Sequence, residues 1–110
     1  LAFLWAGVIR IGVTHNLTWA INSVCHRFGR RPFDTRDAST NVALLAPLTM
    51  GESWHNNHHA FPRSARHGLD RHQLDSSARL IRWFELLGWA TQVQWPDAAQ
   101  VTQKRARAQA

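Results

Sequence analysis

Gly51-Glu52-Ser53-Trp54-His55-Asn56-Asn57-His58-His59-Ala60-Phe61-Pro62 carries three of the chain's seven histidines in one short run. On a helix, positions i, i+3 and i+4 share a face, so His55, His58 and His59 can point at one site. Neutral imidazoles in such an array suit zinc, copper, iron and nickel alike. Surface histidines that happen to cluster are the plain alternative. Three at helical spacing beside an apolar segment favour metal binding. His55 and His59 have the i, i+4 spacing of a zinc-protease helix, but that helix places a glutamate directly after its first histidine as general base. Asn56 stands there instead, which disfavours zinc hydrolysis. Glu52 lies one turn before His55 and can orient a ligand by accepting its second ring proton.

Upstream, His15, Trp19, Asn22 and His26 recur at i, i+4, i+7 and i+11 and form one stripe along a helix. His15 lies roughly 16 Å along the axis from His26 at a rise of 1.5 Å per residue, too far to serve the same metal. A polar stripe facing neighbouring helices accounts for His15 equally well. Polar groups within a membrane face a protein interior or a cavity, which gives Asn22 and His26 a site-lining role. Leu1 to Val13 is apolar except for Arg10 and a few small residues. A full span needs about 20 apolar residues, so the run is expected to be the later part of a membrane helix. Arg27, Arg30, Arg31 and Arg36 follow and would face the cytoplasm by the positive-inside tendency.

Arg31-Pro32 is expected to end that helix. Ser39 or Thr40 is then expected to cap a helix running from Asn41 through Met50 towards His59, with Pro47 as a kink. Arg63–Asp75 reads as a polar loop. Ser76 or Ser77 should cap an amphipathic helix over Ala78–Trp89, with Leu80, Ile81, Trp83, Phe84 and Leu87 on one face. Such a face suits a membrane interface or a partner surface. Val93–Trp95 reads as extended, and Pro96 as the first turn of a last helix. The net charge of +6 rests on arginine almost alone, and it suits an anionic membrane, nucleic acid or an acidic substrate. The single cysteine, Cys25, excludes an intrachain disulfide framework.

Asn22-Ser23-Val24-Cys25-His26, Phe28-Gly29, Arg31-Pro32-Phe33-Asp34 and the Gly51–Pro62 run resemble, in this order, the C-terminal region of membrane-bound di-iron fatty-acid desaturases of the acyl-CoA or acyl-lipid delta-9 type. The HxxHH element alone is shared with hydroxylases; the NSxxH and RPFD pieces narrow the resemblance. It implies an all-α fold, the C-terminal part of a helical integral membrane protein with a cytoplasmic His-rich region. Residues 1–28 would be a partial transmembrane helix ending at the cytoplasmic face. Residues 29–110 would form a cytoplasmic region carrying the histidine box and the amphipathic helix.

The resemblance also implies two irons. His55, His58 and His59 would form the third histidine box, His26 the isolated ligand, and Asn22 would reach an iron through water. Trp19 would line the acyl tunnel. With dioxygen and electrons from a cytochrome b5-like or ferredoxin-like donor and its reductase, such a centre inserts a cis double bond into an acyl-CoA or acyl-lipid chain. No nucleic acid takes part. No HxxxxH box and no earlier HxxHH box occurs in these residues. The chain alone is therefore expected to be inactive, with those boxes encoded upstream. A di-iron hydroxylase, or a non-catalytic basic segment that binds membrane or nucleic acid, are the rival readings.

Overall fold

The computed structural model describes all residues, Leu1–Ala110. It is helical, and its only bridges between extended residues are two isolated antiparallel ones. A π-helical opening, Phe3–Ile9, runs directly into helix α1, Arg10–Val24. A single 3-10 turn occupies Ala43–Leu45. Helix α2 covers His55–Ala60, α3 Ser76–Leu86 and α4 Ala98–Gln109. No helix is long and apolar enough to cross a membrane.

The core is built from polar side chains as much as from apolar ones. Cys25, Phe33, Ala46, Trp54, Ala60 and Ala78 are its buried hydrophobic residues. Ser39, Thr40, Asn41, Thr49, Ser53, His55, Asn56, Asn57 and Asp75 are buried with them. The large apolar side chains lie elsewhere. No residue of α1 is buried, and Trp5, Val8, Ile11 and Val13 stand on its surface and that of the π-helical opening. The radius of gyration is 15.5 Å, against about 13 Å for a compact chain of this size, because α1 stands away from the rest.

A six-residue helix such as α2 cannot hold itself together in water, since nucleation costs more than its few hydrogen bonds return. Two asparagines anchor it. Asn56, fully buried, accepts from the Phe33 N–H at 2.9 Å and donates to the Phe33 carbonyl at 3.1 Å and to Thr35 Oγ1 at 3.1 Å. Asn57 accepts from Asn41 Nδ2 at 2.7 Å and donates to the His67 carbonyl at 2.7 Å and to Gln73 Oε1 at 2.9 Å. The two residues between the histidines therefore tie the helix to the two loops on either side of it in the chain, 25–42 and 61–75.

The helix expected from Asn41 to His59 does not form. Asn41 instead bridges to Arg30 on one side and to Trp54 on the other, and Ser39 and Thr40 cap nothing. The Ser39 N–H donates to Asp37 Oδ1 at 3.0 Å, while Thr40 Oγ1 donates to the carbonyls of Cys25 and Phe28. The Ser39 turn and the Thr40 bonds to distant backbone outweigh local helix formation. Gly29 makes the bridge feasible: its φ is +133°, and a Cβ there would lie 2.4 Å from the Asn41 carbonyl oxygen. The caps downstream are also displaced from expectation. Asp75, rather than Ser76 or Ser77, caps α3 by accepting from the Ala78 N–H at 2.9 Å. Asp97, beyond Pro96, caps α4.

The apolar face of α3 is turned outward. Leu80, Trp83 and Leu87 are exposed, and only Ala78 of the helix is buried. Helix α4 packs back towards the histidine run. Lys104 Nζ donates to the Ala60 carbonyl, and Arg105 pairs with Asp70 at 3.1 Å.

Replacing Asn56 tests the anchoring of α2. Asn56→Ala leaves the buried Phe33 N–H and carbonyl unpaired, and each such group costs about 1–3 kcal/mol. Urea unfolding should show a loss of at least about 2 kcal/mol, whereas His72→Ala, at an exposed turn, should lie within about 0.5 kcal/mol of the parent.

Candidate metal centre

Two elements deliver the imidazoles. His26 follows the end of α1, where the Cys25 carbonyl is fixed by the Thr40 N–H at 2.6 Å and the Thr40 hydroxyl at 2.9 Å. His55 and His59 project from successive turns of α2, opposite the anchoring asparagines. The result is a trio. His26 Nε2 is 3.1 Å from His55 Nε2, which is 3.1 Å from His59 Nε2. One donor nitrogen from each residue lies within 4.8 Å of the other two.

The chemistry of this trio suits a metal. Nitrogens bound to one first-row ion stand about 3 Å apart, for metal–nitrogen bonds near 2 Å. Three imidazoles at that separation cannot all satisfy one another as hydrogen-bond donors and acceptors. His55 Nδ1 and His58 Nδ1 are buried with no hydrogen-bond partner. Burial pushes His55 down to about 4, helped by repulsion from His59, His26 and His58. It is therefore neutral at pH 7, the form that coordinates metal.

Asp37 was not singled out by sequence reasoning, yet its carboxylate contacts His59 Nδ1. Burial works to raise its pKa, but hydrogen bonds from the Ser39 hydroxyl and backbone N–H, the His59 charge and the Thr35 hydroxyl outweigh it. The carboxyl is held well below the usual carboxylate range. A carboxylate on Nδ1 fixes the tautomer with Nε2 free, and Nε2 is the nitrogen that faces His55.

The other predicted residues are placed differently. His58 turns away from the trio: its ring centroid is 6.1 Å from that of His55 but 4.4 Å from that of His67. Burial, then His67, pushes its pKa down. Glu52 lies 3.7 Å from His67 Nδ1 and not beside the trio. Asn22 donates to the Thr18 carbonyl at 3.0 Å and lines, with His26, a surface cavity of about 520 Å³. Trp19 is exposed and stacks on His15, with centroids 6.0 Å apart. His67, like Asp37, escaped sequence reasoning because it lies in a polar stretch with no helical spacing to the box.

Comparison with known proteins places these residues in context. No protein-family model matches the chain. It is 50% identical over 108 residues to the Delta-9 desaturase-like 1 protein of Arabidopsis thaliana, covering 91% of this chain and 36% of that protein. It is 48% identical over 94 residues to the Acyl-CoA C20 Delta5-desaturase of Anemone leveillei, covering 86% and 30%. Against the Icosanoyl-CoA 5-desaturase of Limnanthes douglasii it is 44% identical over 104 residues, covering 94% and 29%. The chain spans about a third of the length of the curated relatives it matches. Over that portion it is similar to proteins named as delta-9 desaturase-like and acyl-CoA desaturases.

Two outcomes follow from the geometry. An unfolded histidine takes up its proton at about 6.5, and folded His55 resists until about 4. Between these values the unfolded state binds more protons, so stability is full above pH 6.5 and falls as the pH drops towards 4. Urea midpoints of the metal-free chain should show that fall, and His55→Gln should flatten it. Asp37→Asn, which keeps the shape but loses the charge, should weaken zinc binding to the trio about 10–100-fold in competition with a chromophoric chelator.

Proposed function

We propose that this chain is the metal-ligating part of a fatty-acyl desaturase, an oxidoreductase that uses a di-iron centre, dioxygen and external electrons to insert a cis double bond into a saturated acyl chain. The observation that carries the reading is the meeting of His26 with His55 and His59 across two separate elements. The identity to proteins named as acyl-CoA desaturases supports it. His26, His55, His58 and His59 would hold iron, with Asn22 acting through water and Trp19 towards the acyl chain.

Bound iron would supply the dioxygen chemistry that removes two hydrogens from adjacent carbons. The chain's own residues supply the rest. Asp37 keeps His59 in the tautomer whose Nε2 faces the site. Burial keeps His55 and His58 neutral. Asn56 and Asn57 hold the ligand helix against the loops, so that the imidazoles are positioned before metal arrives. Electrons would come from a cytochrome b5-like or ferredoxin-like donor, and the substrate would be an acyl-CoA or acyl-lipid.

The setting we propose is a membrane, with the histidines on its cytoplasmic side. The exposed apolar side chains of the π-helical opening and α1, and the outward apolar face of α3, support it. Arg27, Arg30, Arg31 and Arg36 lie just beyond α1, where an anionic leaflet would attract them.

A graft tests the activity. The homologous third of the Arabidopsis delta-9 desaturase-like 1 protein is replaced by this chain, and the products from saturated acyl-CoA are identified by mass spectrometry. Alkene is expected; alcohol would point to a hydroxylase, and no product from a folded graft would sink the reading. In the same graft His26→Ala should strip iron, while His15→Ala, stacked on Trp19 away from the box, should leave iron near the parent value.

A further inference from the structure

Four arginines gather where the loop after α2 runs into the start of α3. Arg66, Arg71, Arg79 and Arg82 line a cavity of about 450 Å³ together with Trp95 and Pro96. The only carboxylate in its lining is Asp75. That group is occupied by backbone: Oδ2 accepts from the N–H groups of His67 and Gly68, and Oδ1 from that of Ala78. We propose that this cavity binds the phosphate head group of an acidic membrane lipid, beside the exposed apolar stripe of α3. The inference goes beyond the desaturase reading; it rests on the membrane setting proposed above and on nothing at the metal centre.

The arginines are not equally committed. Arg82 is already paired with Glu85, whose carboxylate also accepts from Trp95 Nε1 at 3.0 Å. Its guanidinium lies 5.8 Å from the centroid of the Trp95 ring, so this group forms a fixed wall. Arg66 Nε donates to the Gly68 carbonyl at 2.5 Å, which orients the guanidinium and leaves its two terminal nitrogens free. Arg71 and Arg79 meet no acid, since the ion pairs made by arginine are Arg82–Glu85 and Arg105–Asp70. Guanidinium groups held together without a counter-charge repel one another, and an anion among them removes that cost. Phosphate suits the gap, because its oxygens accept paired N–H bonds from the planar fork of arginine.

The choice of a lipid follows from what adjoins the cavity. Trp83 lies four residues after Arg79 and Leu86 four after Arg82, so each pair shares a face of α3. Trp83 is 69% exposed and Leu86 71%, and both continue the outward stripe of Leu80 and Leu87. A soluble phosphate compound would use the arginines and leave that stripe bare. A lipid uses both, with its phosphate at the guanidiniums and its acyl chains along Trp83 and Leu86. An interfacial helix divides in this way, its apolar side sinking to the headgroup boundary while its cations meet anionic lipid.

Dioleoyl phosphatidate is the probe, added to the full chain in dodecylmaltoside micelles while the arginine Nε–H resonances are followed by NMR. Saturable shifts of Arg66, Arg71 and Arg79 are expected, and dioleoyl phosphatidylcholine, which brings no net charge, should leave them in place. Arg71→Gln and Arg79→Gln, both at exposed positions, should each weaken phosphatidate binding about 10-fold. Arg63→Gln removes the same charge outside the cavity and should stay within about twofold of the parent. Inorganic phosphate should bind more weakly than the lipid, and Trp83→Ser should lower affinity for the lipid alone. The proposal is overturned if Arg63→Gln weakens binding as much as Arg79→Gln, which would make the attraction one of overall charge. It is equally overturned if inorganic phosphate binds as tightly as phosphatidate. Flotation of the parent on phosphatidylcholine vesicles reads the membrane setting separately. A chain that floats there but gains nothing from phosphatidate loses this site and keeps that setting.

Discussion

The pair of carboxamides inside the histidine run is the constraint on which the structure depends. Asn56 clamps the segment at Phe33, and Asn57 clamps Asn41, His67 and Gln73. These residues come from two loops, 25–42 and 61–75, and a helix of six residues has no stability of its own to lend. A carboxamide can donate twice and accept twice, so each side chain can join several loops where an apolar residue could only pack. The histidines are thereby left free of structural duty on the other face. The helix divides its labour by face, with holding on one side and ligation on the other.

The same logic governs the end of α1. His26 arrives at the trio because Thr40 occupies the carbonyls that a continuing helix would have used. Thr40 is in place because Asn41 bridges to Arg30 and Trp54, and Gly29 gives that bridge its room. A chain of polar contacts thus runs from one ligand element to the other. Disturbing any link changes the separation of His26 from His55, which explains why polar residues are buried so densely between them.

Much of the helical character was legible in the sequence, and so was the common face of His55 and His59, because spacing within a helix is a local property. The amphipathic pattern of α3 was legible for the same reason, although its direction was not: nothing in Leu80, Trp83 and Leu87 says whether the face they form is covered. The long helix expected after Ser39 failed because Thr40 and Asn41 bond to residues far away in the chain, and propensity does not register such partners. Asp37 and His67 were missed on the same ground. Each meets the histidine run only through a loop, and loops carry no periodicity. Asn56 was read only as the residue that is not glutamate, when its position shows that it is what holds the helix down.

A core assembled from amides and hydroxyls has a thermal consequence. Exposure of apolar surface raises the heat capacity on unfolding, and exposure of polar surface lowers it. With many large apolar side chains, such as Trp5, Trp19, Leu80 and Trp83, already outside and Ser, Thr and Asn inside, the heat-capacity increment is expected below the usual value of about 12–15 cal/mol/K per residue. The stability curve is then shallow and broad. Such a chain loses little of its stability on cooling, and its tolerance of cold is set by hydrogen bonding more than by the hydrophobic effect.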